Sequence, residues 1–448
     1  MREMMALTER PDVISLAGGL PDTTTFAPEL YAKLMAKVAA ESAARALQYG
    51  PTEGMAVTVD CIVEVMATEG TSVSPADVIV TTGGQQVIDL VCKTLIDPGD
   101  VIVAEAPTYP GAVPTFSAYQ ADVVQIDMDG DGMPIDELER TLDRLQGEGR
   151  SPKFIYTIPN FQNPGGVTMS LPRRRRLVEV ARERELLVLE DNPYGLLRYE
   201  GEALPTLYSL DASNAGKNGA SDLVIYLGTF SKILSPGLRL GWAVAPRPVL
   251  EKLNLGKQGT DLCSSPMTQL FVAAYFQERD GTESHPPKPA WVAYVERLRD
   301  LYRRRRDVML EALEEHFGGR ATWTRPEGGL FIWATLDGNV DTTDLMARSE
   351  GVAFVPGRAA YTDGRRGSSS MRLNFAGVPE DDIREGIRRI GRIMGGDTGL
   401  LGTLTGATPG SAAASSEPEA TTSDVELADV VELPRRDQEA LTRRRQDR

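Results

Sequence analysis

The 448-residue sequence predicts an α/β protein: a mostly parallel sheet with helices on both faces, joined to a smaller α+β domain. Three observations predict it. From about Thr52 to Ala245, short apolar runs alternate with amphipathic stretches, the pattern of a parallel sheet with covering helices. Most of the runs are rich in β-branched residues, as strands buried on both faces are. After Phe317 the order changes to several short strands closed by one helix.

The predicted strands of the large sheet are Val78–Val80, Val101–Val103, Val123–Ile126, Phe154–Tyr156, Leu186–Leu189, Leu223–Leu227 and Trp242–Val244. Helical segments lie between most of them, over Gln85–Leu95, Ile135–Leu145 and Pro172–Arg184. A long helix follows over Ala290–Phe317, because Trp291, Val295, Leu298, Tyr302, Met309, Leu313 and Phe317 recur at intervals of three, four or seven residues, one or two helical turns. The four-arginine runs at Arg173 and Arg303 read as solvated helix faces, the second one interleaved with Asp300, Asp307 and Glu311. Strands are expected at Ala321–Trp323, Leu330–Thr335, Phe354–Val355 and Met371–Phe375, then a helix over Pro379–Met394. From residue 396 the composition turns to Gly, Thr, Ala, Ser and Pro, which predicts a disordered tail, with a short docking helix at Val425–Leu433 as the less favoured alternative. The expected divisions are an N-terminal segment over residues 1–48 that belongs with the small domain, a large domain over 49–285, a small domain over 286–395, and the tail over 396–448.

Composition excludes several function classes. The net charge of −16 repels nucleic acid and anionic membranes. No apolar run approaches the roughly 20 residues that span a bilayer, and the charged start, Met1–Arg10, lacks the apolar core of a signal peptide. Cys61, Cys92 and Cys263 are odd in number and far apart, so reduced thiols and a cytoplasmic location are expected. The two histidines, His285 in a Pro-rich loop and His316 near a helix end, leave little for a metal centre or a Ser-His-Asp hydrolase. No metal, nucleic-acid or membrane partner is expected.

Five short stretches carry chemistry. In Gly228-Thr229-Phe230-Ser231-Lys232, the lysine amine can condense with an aldehyde. Its flanking hydroxyls, with Arg239 seven residues on, can hold a phosphate, whose oxygens match the guanidinium fork. Asp191, in Asp191-Asn192-Pro193-Tyr194, follows a buried strand, where α/β proteins place ligands; it can keep a pyridine nitrogen protonated, and Tyr194 can bond the ring oxygen. Gly83-Gly84-Gln85, between a strand and a helix, opens a helix N-terminus to an anion; Tyr109, after the next strand, can stack on a ring. Asn163 sits in a Pro/Gly-rich loop before Pro164, with a cis bond expected to aim its amide at the ring oxygen. Arg372, on a strand of the small domain, can clamp a carboxylate. Taken singly, each has a plainer reading: surface lysine, turn carboxylate, glycine turn, loop, structural salt bridge. Taken together, they ask for one cofactor with an aldehyde, a pyridine ring and a phosphate.

The order of these residues resembles the fold-type I pyridoxal-phosphate (PLP) aminotransferases over about Val13 to Met394. The wording of Ile14–Asp22, Gln48–Gly54 and Pro159–Gly166 is similar to the 2-aminoadipate/kynurenine branch. The resemblance implies that Lys232 binds the PLP aldehyde and later moves the substrate proton, that Asp191 pairs with the ring nitrogen, and that Tyr109 stacks. It implies that Asn163 and Tyr194 hold the ring oxygen, that Gly84, Gln85, Thr229, Ser231 and Arg239 hold phosphate, and that Arg372 and Asn163 grip the substrate carboxylate. Gly18 and Gly19 would lie in a segment that closes over substrate, and Tyr49 would reach the phosphate of a neighbouring subunit in a homodimer. The implied reaction moves an α-amino group from a 2-aminoadipate, aromatic or branched-chain amino acid to a 2-oxo acid, with 2-oxoglutarate expected as acceptor. The alternatives are lyase chemistry on the same fold and the PLP-sensing domain of a transcription regulator; the acidic charge argues against the second.

Overall fold

The structure is a computed structural model that describes residues 12–214, 220–282, 285–338, 340–349 and 351–405. A seven-stranded sheet runs in the order Val78–Thr81, Gly241–Val244, Val224–Thr229, Leu187–Asp191, Pro152–Thr157, Val101–Ala106, Asp122–Asp127. Only Gly241–Val244 runs against the rest, antiparallel to both of its neighbours; the five strands beyond it pair in parallel. Each predicted strand is present, displaced by no more than a few residues.

Successive strand residues bury on opposite faces, as the period of two requires. Val101 and Val103 join one core with Leu138, Leu177 and Ile62 from helices on that side. Ile102 and Ala104 join the other, with Ile88, Phe116 and Leu250. Two covered faces explain why the strands read as continuous apolar runs.

A four-stranded antiparallel sheet forms the second layer system, in the order Ala321–Trp323, Phe331–Leu336, Ser370–Asn374, Val355–Pro356. Its own core gathers Leu298, Met309 and Leu313 of the helix Ala290–Phe317 with Ile332, Leu373 and Ile387. Both sheets belong to one compact unit that ends at Thr398.

Several local expectations differ. The run Phe354–Val355 is not one strand. Val352–Ala353 pairs in parallel with Ile14–Ser15, whereas Val355–Pro356 pairs with Ser370–Asn374, so the chain changes partner at Phe354 and brings the N-terminal segment along. His285 lies in a strand, His285–Pro289, paired with Arg279–Thr282: backbone pairing overrides a proline content that reads as loop. The last helix runs Glu380–Thr405, past its expected end at Met394. The rest of the expected tail, with Val425–Leu433, lies outside the described residues. Among the described residues no helix is long and apolar enough to cross a membrane.

Candidate active site

Parallel strands deliver their C-terminal ends to one edge of the sheet, and the loops leaving that edge carry the chemistry. Tyr109 follows Val101–Ala106, Asn163 follows Pro152–Thr157, Asp191 ends its own strand, and Lys232 follows Val224–Thr229. The single reversed strand brings its starting end to the same edge. Gly241 is in register with both Thr229 and Thr81, so Arg239, two residues before it, arrives beside the helix that begins at Gly84.

These side chains line one cavity of about 490 Å³, together with Gly19, Gln85, Tyr194, Ser231 and Arg372. Of the residues expected at the site, Tyr49 alone does not line it; Tyr49 is 78% exposed on the outside of the chain. Residues that the sequence did not mark also line the cavity, among them Ala17, Leu20, Ile158, Pro193 and Val355.

The floor is a buried acid. Asp191 accepts a hydrogen bond from the Tyr156 hydroxyl across 2.6 Å. Burial, helped by the nearby Glu105 carboxylate, pushes its carboxyl up to about 7, against the Tyr156 hydrogen bond that lowers it. Sequence reasoning missed Tyr156. The only signal was an aromatic residue on the strand beside that of Asp191, where Tyr156 is in register with Leu189.

The amine lies under the N-terminal segment. Lys232 Nζ donates to the Gly19 carbonyl at 2.5 Å. Burial, together with the positive charges of Arg372 and Arg239, depresses its pKa to about 8. An amine held there is available in its neutral, nucleophilic form near neutral pH.

At one end the cavity is an anion cradle. The N–H groups of Gly84 and Gln85, the first two of the helix Gly84–Leu95, have no intrahelical carbonyl to satisfy them, whereas that of Gln86 donates to Gly83 O at 3.2 Å. Gly83 has φ +81°, and a Cβ there would stand 2.5 Å from Arg239 Nη2, so the guanidinium lies directly against the backbone turn. Thr229 Oγ1 donates to Ser231 Oγ at 2.9 Å and accepts from the Ser231 N–H at 3.1 Å, which holds the two hydroxyls together. Gln85 is the second residue of that helix. Its side-chain amide turns away to Gly111 O and Thr115 Oγ1, at 3.1 and 2.7 Å, which leaves the backbone N–H as its contribution to the cradle.

At the other end Arg372 donates to Asn163 Oδ1 at 2.9 Å and to Ala17 O at 2.7 Å. Its guanidinium stacks over the Phe331 ring, 4.3 Å from the centroid. Burial lowers its pKa to about 10, and its buried Nε has no hydrogen-bond partner among the described residues. Asn163 Nδ2 in turn donates to the Tyr194 hydroxyl at 3.3 Å, and the Asn163–Pro164 bond is cis. The guanidinium makes this end of the cavity positively charged, which suits an anionic group such as a carboxylate.

The donor set fits pyridoxal phosphate: an amine for the aldehyde, a buried acid for the ring nitrogen, hydroxyl and amide groups for the ring oxygen, and a cradle for the phosphate. Comparison with other proteins agrees. The sequence pattern of the class I and II aminotransferases matches residues 11–390. The aromatic-amino-acid aminotransferase 1 of Thermococcus litoralis is 43% identical, over 87% of this chain and 90% of its own length. The 2-aminoadipate transaminase of Thermus thermophilus is 39% identical, over 90% and 95%. The solved kynurenine aminotransferase of Pyrococcus horikoshii, in complex with PMP, aligns with a TM-score of 0.79 at 39% identity, over 88% of this chain and 94% of that one. A solved α-aminoadipate aminotransferase of Thermus thermophilus, which holds N-(5′-phosphopyridoxyl)-L-leucine, aligns with the same TM-score at 37% identity, over 89% and 95%. The chain belongs to the class I and II aminotransferases, as a PLP-dependent transaminase of fold type I.

Proposed function

We propose that the preferred donor is an amino acid with an aromatic or branched apolar side chain, and that 2-oxoglutarate accepts the amino group. The observation that carries this is the cavity's charge inventory. Its cationic lining residues, among those described, are Lys232, Arg239 and Arg372. Lys232 is committed to the aldehyde, Arg239 to the phosphate and Arg372 to the α-carboxylate. No cation remains for a second carboxylate, and the rest of the wall is largely apolar, with Leu20, Ile88, Ile158, Leu227 and Val355. Apolar donor side chains fit this wall, whereas an acidic one is held only where its carboxylate stays hydrated at the mouth, since a buried, unpaired carboxylate is costly. The distal carboxylate of 2-oxoglutarate stays hydrated at the mouth beside Leu20, which is 54% exposed.

Bound pyridoxal phosphate supplies the electron sink for the substrate Cα. The chain supplies the rest. Lys232 takes the proton from Cα and later returns it to the cofactor side of the bond. Asp191, held by Tyr156, keeps the ring nitrogen protonated. Asn163 and Tyr194 orient the ring through its oxygen, and Tyr109 covers its face. Gly84, Gln85, Thr229, Ser231 and Arg239 bind the phosphate. Arg372 grips the substrate carboxylate beside Asn163. The segment Ala17–Leu20, with Gly19 over the amine, excludes water.

The working form in this reading is a homodimer. Tyr49 and Leu47, 78% and 77% exposed, support it, since two adjacent large apolar side chains on the outside suit a partner's surface. Tyr49 then completes the partner's phosphate cradle. The cytoplasm is the compartment proposed, in keeping with three free cysteines. The test is a donor screen with 2-oxoglutarate. Phenylalanine and leucine are expected to exceed 2-aminoadipate in kcat/KM by at least about tenfold, the worth of roughly 1.4 kcal/mol. A preference for 2-aminoadipate would overturn the donor assignment.

A further inference from the structure

The turn Asp191–Tyr194 faces two ways. Asp191 and Tyr194 line the cofactor cavity. Asn192, between them, points into a separate cavity of about 270 Å³ behind the turn, lined also by Glu69, Asn160, Gly195 and Arg299. Asn192 is nearly saturated there. Its Nδ2 donates to Glu69 Oε2 at 3.1 Å and to the Tyr226 hydroxyl at 3.0 Å. Its Oδ1 accepts from Asn160 Nδ2 at 2.9 Å, and its backbone N–H donates to Leu227 O at 2.9 Å. A side-chain amide has two donor hydrogens, and both are engaged.

Glu69 closes this network from another part of the chain. It is the residue at the C-terminal cap of the helix Ala56–Thr68, so its backbone is fixed. Its Oε2 also accepts from the Tyr226 hydroxyl at 2.7 Å. A Cβ on Gly195 would stand 2.7 Å from Glu69 Oε1, so the carboxylate also packs against the far side of the same turn. The catalytic scheme makes no use of Glu69. Burial pushes its carboxyl up to about 7, countered in part by the Tyr226 hydrogen bond.

We propose that Glu69 is a positioning residue for transamination: through Asn192 it fixes, from behind, the turn that aims Asp191 and Tyr194 at the cofactor. The proposal rests on the ring-nitrogen role given to Asp191 above. Loss of Glu69 leaves an Asn192 N–H unpaired in a buried site and frees the turn to rotate. The ring acid then shifts, although nothing in the cofactor cavity has changed.

The test uses the PLP-loaded enzyme and the variants Glu69→Ala, Glu69→Gln, Asn192→Ala and Asp191→Asn. Glu69→Ala is expected to lower kcat per bound cofactor roughly tenfold, the size of one hydrogen bond to a charged group, with donor KM within about twofold. It should also move the pH midpoint of the bound cofactor's absorbance, and Glu69→Gln, which keeps an acceptor oxygen, should restore most of both. Should Glu69→Ala fail to fold, Asn192→Ala cuts the same relay and is expected to give the same loss. An unchanged kcat per bound cofactor and an unchanged absorbance midpoint in the folded variant would overturn the proposal. Asp191→Asn separates the two readings: if it keeps full kcat, the role of Asp191 is what fails; if it is inactive while Glu69→Ala is not, the relay alone fails.

Discussion

Tyr156 donates its hydroxyl hydrogen to Asp191 across 2.6 Å, and both side chains are fully enclosed. This one bond opposes the burial that drives the Asp191 carboxyl toward neutrality. In the proposed role Asp191 acts as the carboxylate, and that form is lost as pH falls through about 7. Tyr156→Phe removes the opposing hydrogen bond and moves this loss to higher pH. The expected result is roughly tenfold lower kcat at pH 7, with partial recovery at pH 9; a pH profile of kcat checks it.

Lys232 captures an aldehyde only as the neutral amine. Burial, with Arg372 and Arg239, depresses its pKa to about 8, so the reactive fraction rises with pH up to that value and then levels off. In cofactor-free protein the rate of PLP capture should therefore fall about tenfold per pH unit below 8, as followed by stopped-flow absorbance. A limb centred near the ordinary lysine value of about 10.4 would contradict the burial seen here.

Arg372→Gln removes the carboxylate clamp but leaves the lysine and the cradle in place. Truncating one partner of a buried charged pair costs about 2–5 kcal/mol, so kcat/KM for every α-amino acid should fall by at least about 30-fold. Affinity for PLP alone should change little, because the guanidinium contacts Asn163 and Ala17 and lies outside the cradle. Equilibrium dialysis beside steady-state kinetics separates the two effects.

Gly83→Ala tests the cradle. At φ +81° an alanine is strained, and its Cβ would press on Arg239 Nη2 from 2.5 Å. Backbone strain of this kind costs about 1–3 kcal/mol. A lower Tm and a weaker PLP Kd are expected, with kcat unchanged at saturating cofactor. Gly99→Ala, which meets nothing within 4 Å at a comparable φ of +90°, controls for the strain alone.

The site was legible where its chemistry is local in sequence. Lys232 and its hydroxyls, Asp191 and the Gly84 turn each end a predicted strand or open a predicted helix, and parallel pairing then brings them to one edge. Their supports were not legible. Tyr156 reaches Asp191 only because two strands lie side by side in one particular register, which no single strand specifies. Glu69 meets Asn192 across 123 residues, and Arg372 meets Asn163 across 209. The Phe354–Val355 run is misread for the same reason: apolar character marks it as buried strand but does not say that its two halves serve different sheets.

The bond from Lys232 to the Gly19 carbonyl ties the reactive nitrogen to the cover above it. Whatever recruits that nitrogen must first break this bond, so a ligand that engages the amine also frees the Gly19 backbone from it.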